Sequence, residues 1–401
     1  MESGRIADGK REQDAMLNGT HSVPSGKNEF LTMPPLALKA LLKHVSADEI
    51  PSSVDLLSGK DLEAQLSALL EPPPSVIAVG DIMLGGRTKK AVAEFGPDYP
   101  FDGALPLLRR APIVLGNLEG PFAEKAGKQQ RNFSYRVDVS LASSLSRAGI
   151  NVVTLANNHL MDCGRSGVLE TLDALSNAKV LALGAGTNER AAHAPVIRQA
   201  GGMRIGLLGY YWNRRTAATA DRPGSAMDPP EALQADIRGL REHADRIVVT
   251  FHWGVPYEPN PSSDDRAKAH FAVDCGADAV VGHHPHIVQP FEIYRGCPIF
   301  YSVGNFAFGS ANSRAGGLLV GLRFEDNKTV VNVYPLYVKN RDPRLNYQPK
   351  VLAGKAAEHV LAEMIKASGD NATFMKLQNG RGHIELSRPS GVSRTRKDLH
   401  D

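Results

Sequence analysis

Apolar residues along this chain fall into short runs, each closed by a polar or glycine-bearing break. Residues 76–79, 113–115 and 152–155 are predicted to be buried strands that stop at Gly80-Asp81, at Gly116-Asn117-Leu118-Glu119 and at Ala156-Asn157-Asn158-His159. Val168, Leu169, Leu172 and Leu175 then recur at helical spacing, so residues 166–177 form a helix with one buried face. A strand over 204–210 and a helix over 230–244 lead into three more short strands, 248–251, 279–281 and 298–303. Residues 318–324 and 329–337 alternate as an antiparallel hairpin around Glu325-Asp326-Asn327-Lys328, and a helix near 356–365 closes the ordered part. Strands alternating with helices predict an α/β fold.

The flanks read differently. Residues 1–33 are polar and predicted to be a disordered tail. Over 34–74, Leu36, Leu38, Leu41 and Leu42, then Leu62, Leu66, Leu69 and Leu70, predict a small helical extension ended by Pro72-Pro73-Pro74. The main domain is therefore expected over 75–345, with a C-terminal helix and basic tail over 346–401.

Composition narrows the class. With 42% hydrophobic and 22% charged residues the chain is an ordinary globular protein, and its net charge of +3 calls for no nucleic acid. Much of that excess sits in Arg388, Arg394, Arg396 and Lys397, the expected solvated tail. Cys163, Cys275 and Cys297 are odd in number and imply no disulfide framework. No secretion signal and no apolar run of about 18 residues is present, so the expected location is cytoplasmic, with no membrane span.

The chemistry concentrates at the strand ends. Asp81, Glu119, Asn158 with His159, His252, and His284 with His286 all follow predicted strands, and in open α/β sheets such ends converge on one crevice. Carboxylate, amide oxygen and imidazole together suit a divalent Mn, Fe or Zn ion, with Ca or Mg as lesser fits. Asn117, Asn157, Arg136, Trp253 and Asn305 are the candidate substrate contacts; Asn157 and Asn305 can equally close turns, and Trp253 can equally be core. Trp212-Asn213-Arg214-Arg215 and the stretch from Arg131 to Arg136 add arginines suited to a carboxylate or phosphate.

These motifs occur in the order found in a known family. Gly80-Asp81-Ile82-Met83, Gly116-Asn117-Leu118-Glu119-Gly120, Ala156-Asn157-Asn158-His159 with Asp162 and Gly164, His252-Trp253-Gly254, Gly282-His283-His284-Pro285-His286 and Gly304-Asn305-Phe306 resemble the CapA-type capsule and poly-γ-glutamate biosynthesis proteins, a branch of the calcineurin-like metallophosphoesterases. The resemblance spans about residues 75–310 and implies a two-sheet sandwich flanked by helices. It implies Asp81 as the first metal aspartate, Glu119 where a bridging aspartate stands, and Asn158 as the asparagine ligand. It further implies His252, His284 and His286 as the remaining ligands and His159 as the proton donor, with Asp162 able to orient it.

Two departures matter. Met83 stands where these phosphoesterases carry a ligand histidine, and Glu119 is longer than aspartate by one methylene. One metal position therefore loses a donor while His252 and His286 keep the other nitrogen-rich. Three readings follow from the resemblance: a metal-dependent hydrolase or transferase on a polyanionic or γ-linked peptide polymer, a peptide epimerase, or a non-catalytic subunit of a polymer-synthesis complex. The epimerase would use His159 with Asp162 and a second histidine. Of the three neighbouring histidines, His284 and His286 are favoured as ligands, with His283 behind them as a further catalytic candidate.

Overall fold

A computed structural model describes residues 55–68, 71–125, 135–310, 313–314 and 316–387. The expected N-terminal tail, the helical pattern at Leu36 to Leu42, Leu69, Leu70, Arg131 and the basic tail lie outside these residues.

Two sheets form the frame. The larger has ten strands, in the order Lys376–Gln378, Arg381–Ser387, Lys328–Tyr337, Gly316–Phe324, Val76–Met83, Ile113–Leu118, Val152–Thr154, Leu181–Leu183. Asn305–Phe308 also pairs with Val76–Met83, and Lys350–Val351 with Lys328–Tyr337. The smaller sheet has the order Phe291–Tyr294, Cys297–Phe300, Ala279–His283, Arg246–His252, Met203–Tyr211, Val196–Ala200.

Strand alternation decides the layering. Val76 and Ala78 meet Val248, Val281 and Phe300 between the sheets. Ile77 and Val79, one residue out of phase, face Phe101, Leu107, Leu145, Val168 and Leu175 on the helical side of the large sheet. Ile247, Val249 and Phe251 face Leu233, Ile237, Ala269 and Phe271 beyond the small one. Both faces of the parallel strands are covered, which is why their sequences read as continuous apolar runs.

Helix Gly59–Ala68 falls in the expected helical extension and packs Leu62 and Leu66 into the core of the large sheet, and Arg110 donates to the Leu66 carbonyl. The sequence-level reading and the structure differ at two other places. Helix Ser263–Cys275 was not expected, because its apolar residues crowd toward its C-terminal half and no clean stripe is visible. Its start was nevertheless legible as a capping box: Ser262 Oγ accepts from the Asp265 amide at 3.1 Å, and Asp265 Oδ2 accepts from the Ser262 amide at 3.1 Å. Finally, helix Gly354–Ala367 does not end the order, since Lys376–Gln378 and Arg381–Ser387 return to the large sheet.

The register places the functional residues. Asp81 stands opposite Asn305 on one side and Asn117 on the other, and Asn117 opposite Thr154. In the small sheet Tyr211, His252 and His283 share one row. The glycine before each motif is a packing requirement: a Cβ on Gly80 would lie 2.0 Å from the Gly304 carbonyl oxygen, and one on Gly282 would lie 2.0 Å from that of Tyr301.

Candidate metal centre

The two rows of strand ends meet in a buried cluster of carboxylates and imidazoles. Two donor groups share Glu119: Asp81, Glu119 and His286 form one, and Glu119, His252 and His284 the other. Asp81 and Glu119 are fully buried, while His286 and His159 keep 12% and 9% of their side chains exposed, so these two rings form the outer wall.

Glu119 Oε1 is the focus. His286 Nε2, His159 Nε2 and His252 Nε2 lie 3.7, 3.8 and 3.9 Å from it, too far for hydrogen bonds. Among the described residues this oxygen has no hydrogen-bond partner, nor have Asp81 Oδ2, His284 Nδ1 or either ring nitrogen of His283. Asp81 Oδ2 does sit 3.0 Å from His286 Nδ1. Buried polar atoms without partners are costly. Several of them facing one point is the arrangement that a divalent cation satisfies, and the donor set of carboxylate and imidazole suits such an ion.

The electrostatics agree. Burial acts to raise the Asp81 pKa, but the imidazoles of His283 and His286 outweigh it and hold this carboxyl well below the ordinary range. Glu119 is driven the other way, well above it, by burial and then by repulsion from Asp81 and Asp162. Burial, aided by the neighbouring His284, depresses His252 far below the usual imidazole value, and burial with His286 brings His284 to about 3. Both imidazoles are therefore neutral lone-pair donors at neutral pH.

The amides hold this cluster in place. Asn117 Nδ2 donates to Asp81 Oδ1 at 2.7 Å and lies 3.4 Å from Glu119 Oε2 and 3.3 Å from His252 Nδ1. Asn157 Nδ2 donates to Asn117 Oδ1 and to the Leu118 carbonyl, and its own Oδ1 accepts from the His159 amide. Asn305 Oδ1 lies 3.0 Å from His286 Nδ1, which points Nε2 of that ring toward Glu119. Asn158 Oδ1 lies 3.0 Å from His252 Nε2 at the edge of the second donor group.

His159 forms a dyad with Asp162. Its Nδ1 is 2.6 Å from Asp162 Oδ2, which also accepts from the Tyr135 amide at 2.7 Å. The carboxylate thus fixes the ring and leaves Nε2 facing Glu119, the position from which a proton can be given or taken.

The structure gives several of the expected site residues contacts that the sequence did not show. Trp253 is core: it stacks on Phe251 at 4.7 Å and donates Nε1 to the Tyr301 carbonyl, because alternation turns it away from the face that His252 uses. Arg136 Nη1 donates to the carbonyls of Ala123 and Glu124 and so braces a loop. His283 is fully buried, with Nδ1 3.5 Å from Asp81 Oδ1. His252 stands with His284 in one candidate donor group and His286 with Asp81 in the other, and the backbone is left-handed at both His284 (φ 99°) and His286 (φ 58°). Met83 is buried, and its sulfur accepts from the Gly85 amide.

Sequence reasoning missed the aromatic surround. Tyr135 lies on the His159 ring at 4.2 Å, Phe308 on His286 at 4.8 Å, and Tyr257 is 6.2 Å from His286. Tyr257, at φ 65°, carries no motif that would have flagged it.

Stacked sheets whose strand ends gather two carboxylates and several neutral imidazoles define a candidate metalloprotein of the α/β class. The model of the bacterial capsule synthesis protein family PGA_cap matches residues 75–310, and the chain belongs to that family. It is 31% identical over 331 residues to the capsule biosynthesis protein CapA of Bacillus anthracis, covering 80% of this chain and 79% of that one. It is 34% identical over 235 residues to the PGA biosynthesis protein CapA of Bacillus subtilis, covering 57% and 62%. A 5'-nucleotidase precursor structure from Thermus thermophilus superposes distantly, with a TM-score of 0.39 and 14% identity over 73% of this chain and 58% of that one.

Proposed function

We propose that this protein is a metal-dependent hydrolase or transferase of capsule and poly-γ-glutamate type, acting in the cytoplasm on a polyanionic or γ-linked peptide polymer. The observation that carries the reading is Glu119 Oε1, buried without a hydrogen bond and faced by three imidazole Nε2 atoms at 3.7 to 3.9 Å. Capsule and PGA biosynthesis in the names of the Bacillus relatives supports the substrate class. Among the described residues no helix is long and apolar enough to cross a membrane.

Asp81, Glu119, Asn158, His252, His284 and His286 would hold the metal, with Mn, Fe or Zn favoured by the mixed donors. When bound, such an ion supplies Lewis-acid polarisation of a carbonyl or phosphoryl oxygen. His159, oriented by Asp162, moves a proton at Nε2 toward the leaving group. Asn117 and Asn305 keep the donors aimed, and the Tyr135 ring shields the imidazole from bulk water.

The test is turnover of γ-linked glutamate oligomers by Mn- or Zn-loaded protein, with chelated protein and a generic phosphodiester as controls. Metal-dependent release of glutamate or of shorter oligomers is expected. Deuterium uptake from heavy water without bond cleavage would replace hydrolysis by epimerisation, and no turnover of any substrate would leave the non-catalytic subunit.

A further inference from the structure

A chain of buried polar side chains leads from the metal cluster to a residue outside its motifs. Asn305 Oδ1 lies 3.0 Å from His286 Nδ1, and Asn305 Nδ2 donates to Ser313 Oγ at 3.3 Å. Ser313 Oγ accepts in turn from Asn340 Nδ2 at 3.0 Å. That same Nδ2 donates to the Ser310 carbonyl at 2.9 Å and to the Phe308 carbonyl. Asn305, Ser313 and Asn340 are 2%, 6% and 6% exposed, so bulk water does not replace a lost partner. Asn340 sits just beyond strand Lys328–Tyr337, in a Lys339-Asn340-Arg341-Asp342-Pro343 stretch that reads from sequence only as a turn.

The far end of this chain fixes the near end. A carbonyl oxygen can only accept, so the two backbone carbonyls beside Asn340 decide which side of its amide is the NH2. The Ser313 hydroxyl has one hydrogen, which points to the Ser310 carbonyl at 3.3 Å, and its lone pairs are left for Asn340 and Asn305. Asn305 must then turn its NH2 to Ser313 and its Oδ1 to His286. Two acceptors therefore face His286 Nδ1, this oxygen and Asp81 Oδ2, each at 3.0 Å. Nδ1 carries the ring hydrogen, and the lone pair sits on Nε2, 3.7 Å from Glu119 Oε1.

We infer that Asn340 is a positioning residue for the metal centre, acting through Ser313 and Asn305 to hold His286 in the tautomer whose Nε2 can bind a cation. The inference rests on the metal-centre reading above and deepens it. In the other tautomer the ring presents an N–H to Glu119 and no lone pair, and the Asp81 group loses one of its three donors. The His252 group shares only Glu119 with it and is aimed by other amides, those of Asn117 and Asn158. Loss of the relay therefore falls on one donor group and spares the other.

NMR of the ring nitrogens, on the metal-free full chain with isotope-labelled histidine, tests this at about pH 8, where an ordinary imidazole of pKa ~6.5 is neutral. His286→Gln assigns the resonances. The wild type is expected to show one His286 tautomer, protonated at Nδ1, and Asn340→Ala a mixture of the two. Titration with Mn or Zn supplies the second readout. The weaker ion, expected at the three-donor Asp81 group, should lose ~10- to 100-fold in affinity in Asn340→Ala, the usual effect of removing an outer partner of a ligand, while the tighter ion changes little. Ser313→Ala cuts the relay in the middle and should reproduce both effects, and adding Asn340→Ala to it should weaken the ion no further. Should Asn340→Ala not fold, Ser313→Ala alone decides by the same two readouts. Nε2 protonation of His286 in the wild type, or an unchanged tautomer in the variants, overturns the relay. Equal weakening of both ions with a lower melting temperature also overturns it, because that is what a purely structural residue produces. Failure of the metal reading is distinguishable: the tautomer responds to Asn340→Ala, yet the wild type binds no metal.

Discussion

At the scale of single residues, the proposed roles separate holding a cation from moving a proton. His252 Nε2 faces Glu119 Oε1 and Asn158 Oδ1 in the donor group that also contains His284, whereas His159 is committed through Nδ1 to Asp162. His252→Ala should therefore abolish tight metal binding, read by elemental analysis after loading with Mn or Zn. His159→Gln should retain near-normal metal and lose ~10²- to 10⁴-fold in turnover, the usual worth of general acid or base help. Asp162→Asn should lose less and shift the pH optimum. Loss of metal together with activity in His159→Gln would move that residue into the coordination set. Stoichiometry is a second residue-scale outcome. With Met83 buried against Gly85, the Asp81 group has three candidate donors, and Asn158 stands beside the His252 group. One tightly held ion and a second, weaker one are expected on titration, and two equally tight ions would show that the difference between the two donor groups is of no consequence.

At the scale of elements, the motifs work because the glycines before them let strands approach. Gly282→Ala would push a methyl to 2.0 Å from the Tyr301 carbonyl oxygen and 2.5 Å from Trp253 Nε1. The Ala279–His283 strand must then shift away from Cys297–Phe300, at a cost of at least ~1 to 3 kcal/mol by the usual penalty for overpacking. Because His283 and His284 follow directly, metal affinity should fall along with the melting temperature. Ser262→Ala, by contrast, removes only the capping box of helix Ser263–Cys275. It should cost ~1 kcal/mol and leave metal affinity alone, as measured by denaturant unfolding with and without metal.

For the whole molecule, burying uncharged imidazoles between two sheets couples stability to pH. In the metal-free protein the folded-state pKa values of His252 and His284 lie below the ordinary 6.5, the latter at about 3. Between those limits the unfolded chain binds protons that the folded chain refuses, so stability falls as pH drops below 6.5. The slope approaches ~1.4 kcal/mol per pH unit for each such imidazole. Chelated protein should accordingly melt at lower temperature at pH 5 than at pH 7, and added Mn or Zn should raise the melting temperature more at pH 7 than at pH 5, because Glu119, the donor whose pKa is raised, must lose its proton to bind a cation. A metal-free melting temperature that does not change over this range would mean that these histidines are solvated.

Much of the arrangement could be read from the chain alone because strands announce themselves by period and composition. Val76, Val152, Val248 and Val280 each sit in an apolar run that ends in a donor, and the alternation of strand and helix brings those ends to one edge. That much is local physics plus one topological rule. What the sequence could not decide depends on contacts between distant segments. The partition of His284 and His286 between two donor groups goes with a left-handed backbone at both, in a turn where the Pro285 carbonyl accepts from the Tyr257 amide and His286 Nδ1 lies against Asn305 Oδ1. The placement of Trp253 in the core, of His283 beside Asp81 and of Tyr257 near His286 likewise needs both sheets in place. The register of one sheet edge against the other is set by the shared core of Val76, Ala78, Val248 and Val281, residues far apart in sequence, and no local pattern along the chain encodes that distance.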